Sequence, residues 1–385
     1  MHLLARTQEV LGELIGFPTV SADSNLELIA YAADLLSEAG AKLSISRDET
    51  GAKANLFATL GPLEDGGIVL SGHTDVVPVD DQEWTSDPFV MDERGGFLYG
   101  RGACDMKGFI AACLAMAPSF AQLDLKRPLH FAFTYDEETG CFGARELMAE
   151  LAKANFRPSV AIIGEPTSMR VIEGHKGCYE YTTEFIGQEG HGSQPGLGVN
   201  AVEYAARYIG KLMDISENLK DRAPHGSRFD PPWTTIQVGR IVGGAARNVI
   251  AGRCEVEWEM RPVQDKDAAF VKTGIGTYVD SVLRPAMKAV AADADIVTHT
   301  IGEVAGLQVV SESEARDIVF ELTGSNSADV VAFGTEAGLF QAAGMSVVIC
   351  GPGSIEQAHK PDEYIALEQL QSCLDMLERL KAKLS

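Results

Sequence analysis

The chain has 385 residues, 45% of them hydrophobic and 23% charged, a composition typical of a globular protein that is too long for one ordinary core. Its formal net charge of −23 argues against a nucleic-acid binder, which needs a basic face. No apolar run approaches the ~20 residues of a membrane helix, and the N-terminus lacks the basic start and cleavage site of a signal peptide. Seven scattered cysteines predict reduced thiols in a cytoplasmic protein, without a disulfide framework or a zinc ribbon.

The first part of the chain alternates short apolar strands with helical patterns. Ser24-Asn25-Leu26-Glu27 predicts a capping box that opens a helix ending near Ala39. Strands are predicted at 67–72, 129–135 and 160–164, with a helix at 106–120 between the first two. This alternation is typical of an α/β domain with a mostly parallel sheet.

The pattern changes after Gly177. Strands are predicted at 178–187, 233–242, 254–262 and 295–302, and helices at 199–213 and 266–290. This β-α-β-β-α-β order predicts a small α+β unit of ferredoxin-like type. The α/β pattern then resumes with a strand at 346–351 and a helix at 366–384. We therefore predict a catalytic domain of residues 1–175 and 303–385, interrupted by an inserted module at 176–302.

Ionisable side chains follow the predicted strands of the catalytic domain. In order along the chain they are His73 and Asp75, Asp105, Glu137 and Glu138, Glu165, and His359. Functional groups of open α/β sheets gather at the carboxyl ends of the strands, so these side chains are expected to share one crevice.

Two histidines and at least three carboxylates form a nitrogen and oxygen ligand set that suits a pair of Zn, Co or Mn ions. Each residue alone has an ordinary explanation. Asp105 can be a helix N-cap, and the Glu137-Glu138 pair can be a solvated acidic turn. The prediction of a metal centre depends on the joint placement of these residues at strand ends.

Seven phrases carry a resemblance over nearly the whole chain. In order they are SGHTDVVPV, WTSDPF, YGRGACDMKG, DEETG, IGEPT, GHGSQPGLGVNA and GPGSIEQAHKPDEYI. Together they resemble the dinuclear zinc deacylase and aminopeptidase superfamily, which includes acetylornithine deacetylases, succinyl-diaminopimelate desuccinylases, aminoacylases and glutamate carboxypeptidases. The phrases IGEPT, HKG and GPGSIEQAHKPDEY are most similar to the acetylornithine deacetylases of that superfamily.

The resemblance implies two Zn²⁺ ions, for which Co²⁺ or Mn²⁺ can substitute. It also implies the ligand set: His73 and Glu165 on the first ion, Glu138 and His359 on the second, and Asp105 bridging both. Asp75 would orient the imidazole of His73. A cis peptide is expected after the bridging aspartate, between Asp105 and Met106.

Two further residues receive catalytic roles from the resemblance. Glu137 is expected to be the general base, beside the ligand Glu138. His191, in the inserted module, is expected to stabilise the oxyanion in the active site of a partner subunit. A homodimer through the inserted module, which would act as a dimerisation and lid domain, follows from that role.

The sequence also offers candidates for substrate contacts, each with an alternative or open role. Asn248 and Arg261 match family positions that bind the substrate α-carboxylate, and the role of neighbouring Arg247 is open. A surface ion pair is the alternative for either arginine. Gly351 would bring a backbone N–H group close to the ligand, or simply form a turn, and Glu336 would pair with a substrate δ-ammonium.

The expected activity is amide hydrolysis of N-acetyl-L-ornithine to L-ornithine and acetate, in arginine biosynthesis. Alternative substrates are succinyl-diaminopimelate, acetylcitrulline or a general N-acylamino acid, and a related metallopeptidase stays possible. A non-catalytic binding protein of the same fold is disfavoured, because every ligand position and Glu137 are present.

Overall fold

The computed structural model describes residues 3–385 and divides the chain into two compact units. Unit 1 comprises the residues up to Gly174, Val309–Val330 and Thr335–Ser385. Unit 2 comprises His175–Gln308 and Val331–Gly334. The predicted roles of these parts as a catalytic domain and a dimerisation or lid domain stay predictions.

The helices, in chain order, are α1 Leu3–Ile15, α2 Leu26–Glu38, α3 Lys107–Phe120, α4 Phe142–Lys153, α5 Ala201–Lys220, α6 Asp265–Tyr278, α7 Arg284–Lys288, α8 Glu314–Thr323, α9 Ala337–Ala342 and α10 Leu367–Leu384. The strands are β1 Lys42–Arg47, β2 Ala54–Leu60, β3 Ile68–His73, β4 Asp92–Arg94, β5 Phe97–Tyr99, β6 Leu129–Thr134, β7 Val160–Pro166, β8 Ile172–His175, β9 Cys178–Ile186, β10 Gly190–His191, β11 Thr235–Gly243, β12 Val249–Ile250, β13 Arg253–Arg261, β14 Asp295–Val304, β15 Asp329–Val331, β16 Ser346–Gly351 and β17 Tyr364–Ala366.

Unit 1 is built on an eight-stranded sheet in the order β1-β2-β6-β3-β7-β16-β8-β15. The four central strands, β6, β3, β7 and β16, run parallel to one another. Every residue of β3, β6 and β7 is buried, as expected for parallel strands covered on both faces. The predicted α/β class with a mostly parallel sheet is therefore confirmed, and the carboxyl ends of the central strands meet at one edge.

The start of α2 corrects one local prediction. The helix begins at Leu26, but its N-cap residue is Asn25, whose side chain makes no capping hydrogen bond. The Asn25 side chain instead pairs with the backbone N–H and C=O of Ala54, each at 2.9 Å. The Ser24 hydroxyl donates to the carbonyl of Ala52. The prediction of a capping box was wrong, because these side chains form hydrogen bonds with backbone groups that lie close in space but about thirty residues away in sequence.

Unit 2 contains an antiparallel sheet in the order β11-β13-β9-β14, with a separate two-stranded ribbon of β10 and β12. The β-α-β-β-α-β order of its main elements is the predicted one. The helix predicted at 266–290 is interrupted, because the turn Val279–Leu283 is a π-helix between α6 and α7. Aromatic residues such as Tyr181, Phe185 and Trp258 form the core against α5.

All seven cysteines are free thiols, and six of them are buried. None of the helices within residues 3–385 combines the length and the apolar character that a membrane crossing needs.

The buried His130 lies at the amino end of β6, away from the carboxyl end where the candidate ligands follow the strand. The His130 ring stacks on Phe57 and meets the edge of Phe156. Its Nδ1 lies 2.9 Å from the Thr59 hydroxyl and its Nε2 lies 3.2 Å from the Gly66 carbonyl. Burial lowers the pKa of His130 to about 4. These contacts suit a neutral ring that accepts at Nδ1 and donates at Nε2.

We expect His130 to make folding less favourable in acid. The unfolded chain protonates this ring below its ordinary pKa of about 6.5, whereas the folded chain does so only near pH 4. The stabilising effect of the neutral ring is complete above pH 6.5 and is lost as the pH falls from 6.5 to 4. In His130→Gln the free energy of unfolding should therefore fall less steeply over this range, by up to about 1.4 kcal/mol per pH unit. Urea titrations of metal-free protein at pH 7, 6 and 5 measure the slope.

His225→Gln is the matched control, since His225 is exposed to solvent in the folded protein. This variant should keep the wild-type slope. An unchanged slope in His130→Gln would show that the buried ring is protonated in the folded state at these pH values.

Candidate metal centre

The carboxyl ends of the central strands carry the candidate ligands of unit 1. His73 is the last residue of β3, Glu165 lies near the end of β7, and Glu138 follows β6 in a turn. Asp105 lies in the turn before α3, and the Asp105–Met106 peptide is cis, as the resemblance implied. His359 lies in the loop between β16 and β17. The parallel topology thus brings together residues from five separate segments of the chain.

One group of donors consists of His73, Asp105 and Glu165, all buried. Nε2 of His73 lies 3.0 Å from Oδ1 of Asp105 and 3.9 Å from Oε1 of Glu165. This Glu165 oxygen has no hydrogen-bond partner within residues 3–385. A buried carboxylate oxygen without a donor is costly unless a cation satisfies it.

A second group consists of Asp105, Glu138 and His359. Nε2 of His359 lies 3.4 Å from Oδ2 of Asp105 and 3.1 Å from Oε2 of Glu138. The two oxygens of Asp105 therefore face different histidines, so this carboxylate belongs to both groups.

In each group the donor atoms lie within 4.8 Å of one another. Imidazole nitrogens and carboxylate oxygens suit Zn²⁺, Co²⁺ and Mn²⁺. The orphaned oxygen of Glu165 and the shared carboxylate of Asp105 fit a divalent cation on either side of Asp105.

The electrostatics of the cluster reflect many carboxylates in one buried place. Burial raises the pKa values of Glu137 and Glu165 well above their usual range, and neighbouring carboxylates add to the rise. Although burial opposes it, hydrogen bonds from His359 and His73 lower the pKa of Asp105. The hydrogen bonds to Asp105 and Glu138 raise the pKa of His359 to about 10. A divalent cation would favour the ionised form of every carboxylate in the cluster.

Asp75 contacts both His73 and the turn that follows β6, and its expected role in orienting His73 stays a prediction. The nearest partner of Nδ1 of His73 is the backbone carbonyl of Asp75, at 2.9 Å, while its carboxylate lies 3.6 Å away. The carboxylate accepts the backbone N–H groups of Glu137 and Glu138 at 3.0 and 3.2 Å, and the Ser21 hydroxyl at 2.7 Å. Asp75 therefore connects the end of β3 to the turn that carries Glu137 and Glu138.

Lys53 and Asp136 support the same turn and were missed in the sequence. The ammonium of Lys53 contacts both oxygens of Asp136, at 2.5 and 2.6 Å. Asp136 has a left-handed backbone, with φ of 54°, directly before Glu137. No sequence signal pairs a lysine with an acid 83 residues away.

Glu336 and Gly351 lie in unit 1, and each makes contacts within the protein that the sequence did not predict. Glu336 is 1% exposed, and its two oxygens accept the hydroxyls of Ser71 and Thr134 at 2.6 and 2.8 Å. Gly351 donates its N–H to the Thr167 hydroxyl. A Cβ on Gly351 would lie 2.0 Å from the carbonyl oxygen of Gly164, so close strand packing requires this glycine. Substrate roles for both residues stay predictions.

The remaining predicted residues belong to unit 2. His191 pairs with Val249 across the β10–β12 ribbon, and Nδ1 of His191 lies 2.7 Å from the Ser193 hydroxyl. The backbone carbonyl of Asn248 accepts the N–H of Gly192, so His191 and Asn248 occupy neighbouring, exposed positions. Arg247 is also exposed.

Arg261 is partly buried at the end of β13, where its Nη2 donates to Glu259 at 2.7 Å. An ion pair was the alternative explanation for this arginine, and the chain contains one. Its role as a substrate contact stays a prediction.

Solved structures share this architecture. The M20 family metallo-carboxypeptidase Sso-CP2 of Sulfolobus solfataricus superposes with a TM-score of 0.76 at 16% identity, covering 97% of this chain and 98% of that one. The YXEP protein of Bacillus subtilis, described as a dinuclear metal binding peptidase of the M20 family, gives a TM-score of 0.67 at 18% identity, covering 99% and 98%. At these identities the likeness concerns the fold.

The sequence comparisons concern the family as well as the fold. An acetylornithine deacetylase of Shigella sonnei (strain Ss046) is 36% identical over 364 residues, which cover 93% of this chain and 92% of that protein. The family model of peptidase family M20/M25/M40 matches residues 69–383, a span that holds all the candidate ligands. The resemblance seen in the sequence is confirmed, and the chain belongs to peptidase family M20/M25/M40.

Proposed function

We propose that the chain is a metal-dependent amidohydrolase that converts N-acetyl-L-ornithine and water into L-ornithine and acetate. The observation that carries the chemistry is the shared position of Asp105, with one oxygen toward each histidine and Glu137 nearby. The substrate assignment is supported by the 36% identity to an acetylornithine deacetylase over most of both chains.

In this proposal His73 and Glu165 would hold one metal ion, Glu138 and His359 would hold a second, and Asp105, which belongs to both donor groups, would be a ligand shared by the two sites. We propose Zn²⁺, with Co²⁺ or Mn²⁺ as substitutes, because the donor set has only nitrogen and oxygen atoms. When bound, such ions supply Lewis-acid chemistry, which polarises a carbonyl group and makes water more acidic.

Glu137 is the proposed general base. Its backbone N–H is bound by Asp75, which also fixes His73 through the carbonyl, so base and ligand are held by one residue. Glu137 would take one proton from the attacking water as the new C–O bond forms at the amide carbon. It would then return that proton to the nitrogen as the C–N bond breaks, releasing acetic acid and the neutral amine, which end as acetate and an ammonium group once the acid has passed its remaining proton to the amine.

The residues of unit 2 complete the proposal. His191 would donate a hydrogen bond to the oxyanion in the active site of a partner subunit, which implies a homodimer through unit 2. Asn248 and Arg261 would bind the substrate α-carboxylate. The adjacency of His191 and Asn248 supports a shared binding surface.

The proposed setting is arginine biosynthesis in the cytoplasm. The identity to an acetylornithine deacetylase supports the pathway, and seven free thiols suit a reducing compartment.

Replacing Glu137 by glutamine should reduce kcat about 10²–10⁴-fold, because the amide cannot accept the proton. The variant should still bind metal, since Glu137 is not a proposed ligand. Steady-state amine release and metal analysis after gel filtration measure the two effects.

Glu150→Gln makes the same chemical change at an exposed position of α4 and should leave both quantities unchanged. Wild-type turnover in Glu137→Gln would remove Glu137 from the mechanism.

The zinc-loaded enzyme should prefer N-acetylornithine over N-acetylcitrulline, succinyl-diaminopimelate, N-acetylmethionine and a dipeptide. We expect kcat/KM at least ~10-fold above each competitor, because a pocket that recognises the δ-ammonium gains about 1.4 kcal/mol or more in the transition state. Amine release over this panel provides the measurement. A higher kcat/KM on another compound would keep the metal chemistry and transfer the substrate assignment to that compound.

A further inference from the structure

Glu363 is another buried carboxylate beside the candidate metal centre that is not one of the candidate ligands. Glu363 lies at the end of the loop that contains His359 and is 1% exposed. Its Oε1 accepts the backbone N–H groups of Cys104 and Asp105 at 2.8 and 3.0 Å. Its Oε2 accepts the N–H of Gly102 at 3.0 Å and Nη1 of Arg101 at 2.8 Å. Both oxygens are thus fully used by donors from one short segment.

That segment carries the shared ligand Asp105. Residues 100–106 form an irregular turn between β5 and α3, in which Gly102 has a φ of +80°. The N–H groups of such a turn have no partners in a helix or a sheet, and they converge on an anion instead. The carboxylate of Glu363 is that anion, and it is reached from 258 residues away in sequence.

Arg101 extends these contacts to Lys360, in the loop that contains His359, and to Gln82. Its Nη1 also lies 3.3 Å from the carbonyl oxygen of Lys360, and its Nη2 donates to Oε1 of Gln82 at 2.6 Å. The guanidinium lies over the ring of Trp84, 5.0 Å from its centroid. A buried planar guanidinium with several fixed acceptors has little freedom to reorient.

Gln82 connects Arg101 to the candidate ligand His359. Its Nε2 donates to the backbone carbonyl of His359 at 3.0 Å. His359 itself has a left-handed backbone, with φ of +62°, which a non-glycine residue adopts only when its surroundings hold it. The backbones of His359 and Asp105 are therefore connected through Gln82, Arg101 and Glu363.

We propose that Glu363 is a positioning residue that, with Arg101 and Gln82, sets the separation of Asp105 and His359 and thereby the affinity for the ion between them. This inference rests on the proposed metal centre. Ligands must be held within about 0.5 Å of the binding geometry to bind well, and side chains on irregular loops need support to achieve it. Contacts beyond the ligands commonly change metal affinity 10–100-fold.

The experiment is a Co²⁺ titration of metal-free full-length protein, followed by visible absorption. In Glu363→Gln the amide keeps the size of the side chain, but its NH₂ group must face N–H donors. We expect the Co²⁺ dissociation constant of the Asp105–Glu138–His359 site to rise at least 10-fold, with a changed absorption spectrum. His359→Gln identifies which part of the titration belongs to that site.

Asp267→Asn is the matched control. Asp267 is also 1% exposed, and its carboxylate accepts hydrogen bonds from Arg222, Thr234 and Gln264 in unit 2. This variant should lower the melting temperature and keep the wild-type Co²⁺ affinity and spectrum. Gln82→Ala, at a half-buried position, tests the same network should Glu363→Gln not fold, and it should weaken the His359-dependent step.

Three outcomes contradict the inference. If Glu363→Gln melts earlier but binds Co²⁺ with wild-type affinity and spectrum, Glu363 only stabilises the fold. If it does not fold and Gln82→Ala binds Co²⁺ like the wild type, the network does not position the ligand. If the wild type binds no Co²⁺, the proposed metal centre itself fails, which is a distinguishable result.

Discussion

The placement of several carboxylates in one buried region is the constraint on which the rest of unit 1 depends. Parallel strands bring His73, Glu138 and Glu165 to the same edge of the sheet, and Asp105 enters that edge from the turn before α3. Like charges this close oppose one another in a medium of low dielectric constant. Protonation of some of these carboxylates relieves the repulsion, in line with the raised pKa values of Glu137 and Glu165. Cations between the carboxylates relieve it as well, which is the physical basis of the proposed metal dependence.

The supporting residues follow a common principle. Asp75 and Glu363 each use their carboxylate to bind the backbone N–H groups of a turn, and each of those turns carries a candidate ligand. A backbone N–H is a fixed, neutral donor, so it stabilises an anion without adding a mobile charge to the site. The cations Lys53 and Arg101 pair with Asp136 and Glu363, neither of which is a candidate ligand. The positive side chains thus reinforce the loops without occupying the positions between the ligands.

The sequence predicted the architecture better than the support of the site. Apolar runs and the ionisable residues after them were sufficient to predict the parallel sheet and the cluster at its edge, because strand ends are local features. Three features were not predicted: the contacts that replace the capping box at Ser24, those of the Asp75 carboxylate with the Glu137-Glu138 turn, and the Glu363 network. In each, the partner lies between about thirty and 260 residues away. Hydrogen bonds between such distant residues leave no periodic pattern, so they appear only once the chain is folded.

The candidate ligands Asp105 and His359 are far apart along the chain, which bears on how the proposed centre would be stabilised. Asp105 and His359 lie in segments that meet only in the folded protein, and a shared cation would cross-link them. The Glu363–Arg101–Gln82 network already links the same two segments through their backbones. Two links between one pair of segments do not contribute independently, because either one reduces the freedom that the other must remove. In the proposed centre, the hydrogen-bonded network would therefore meet part of the ordering cost of His359, a loop residue, before an ion binds.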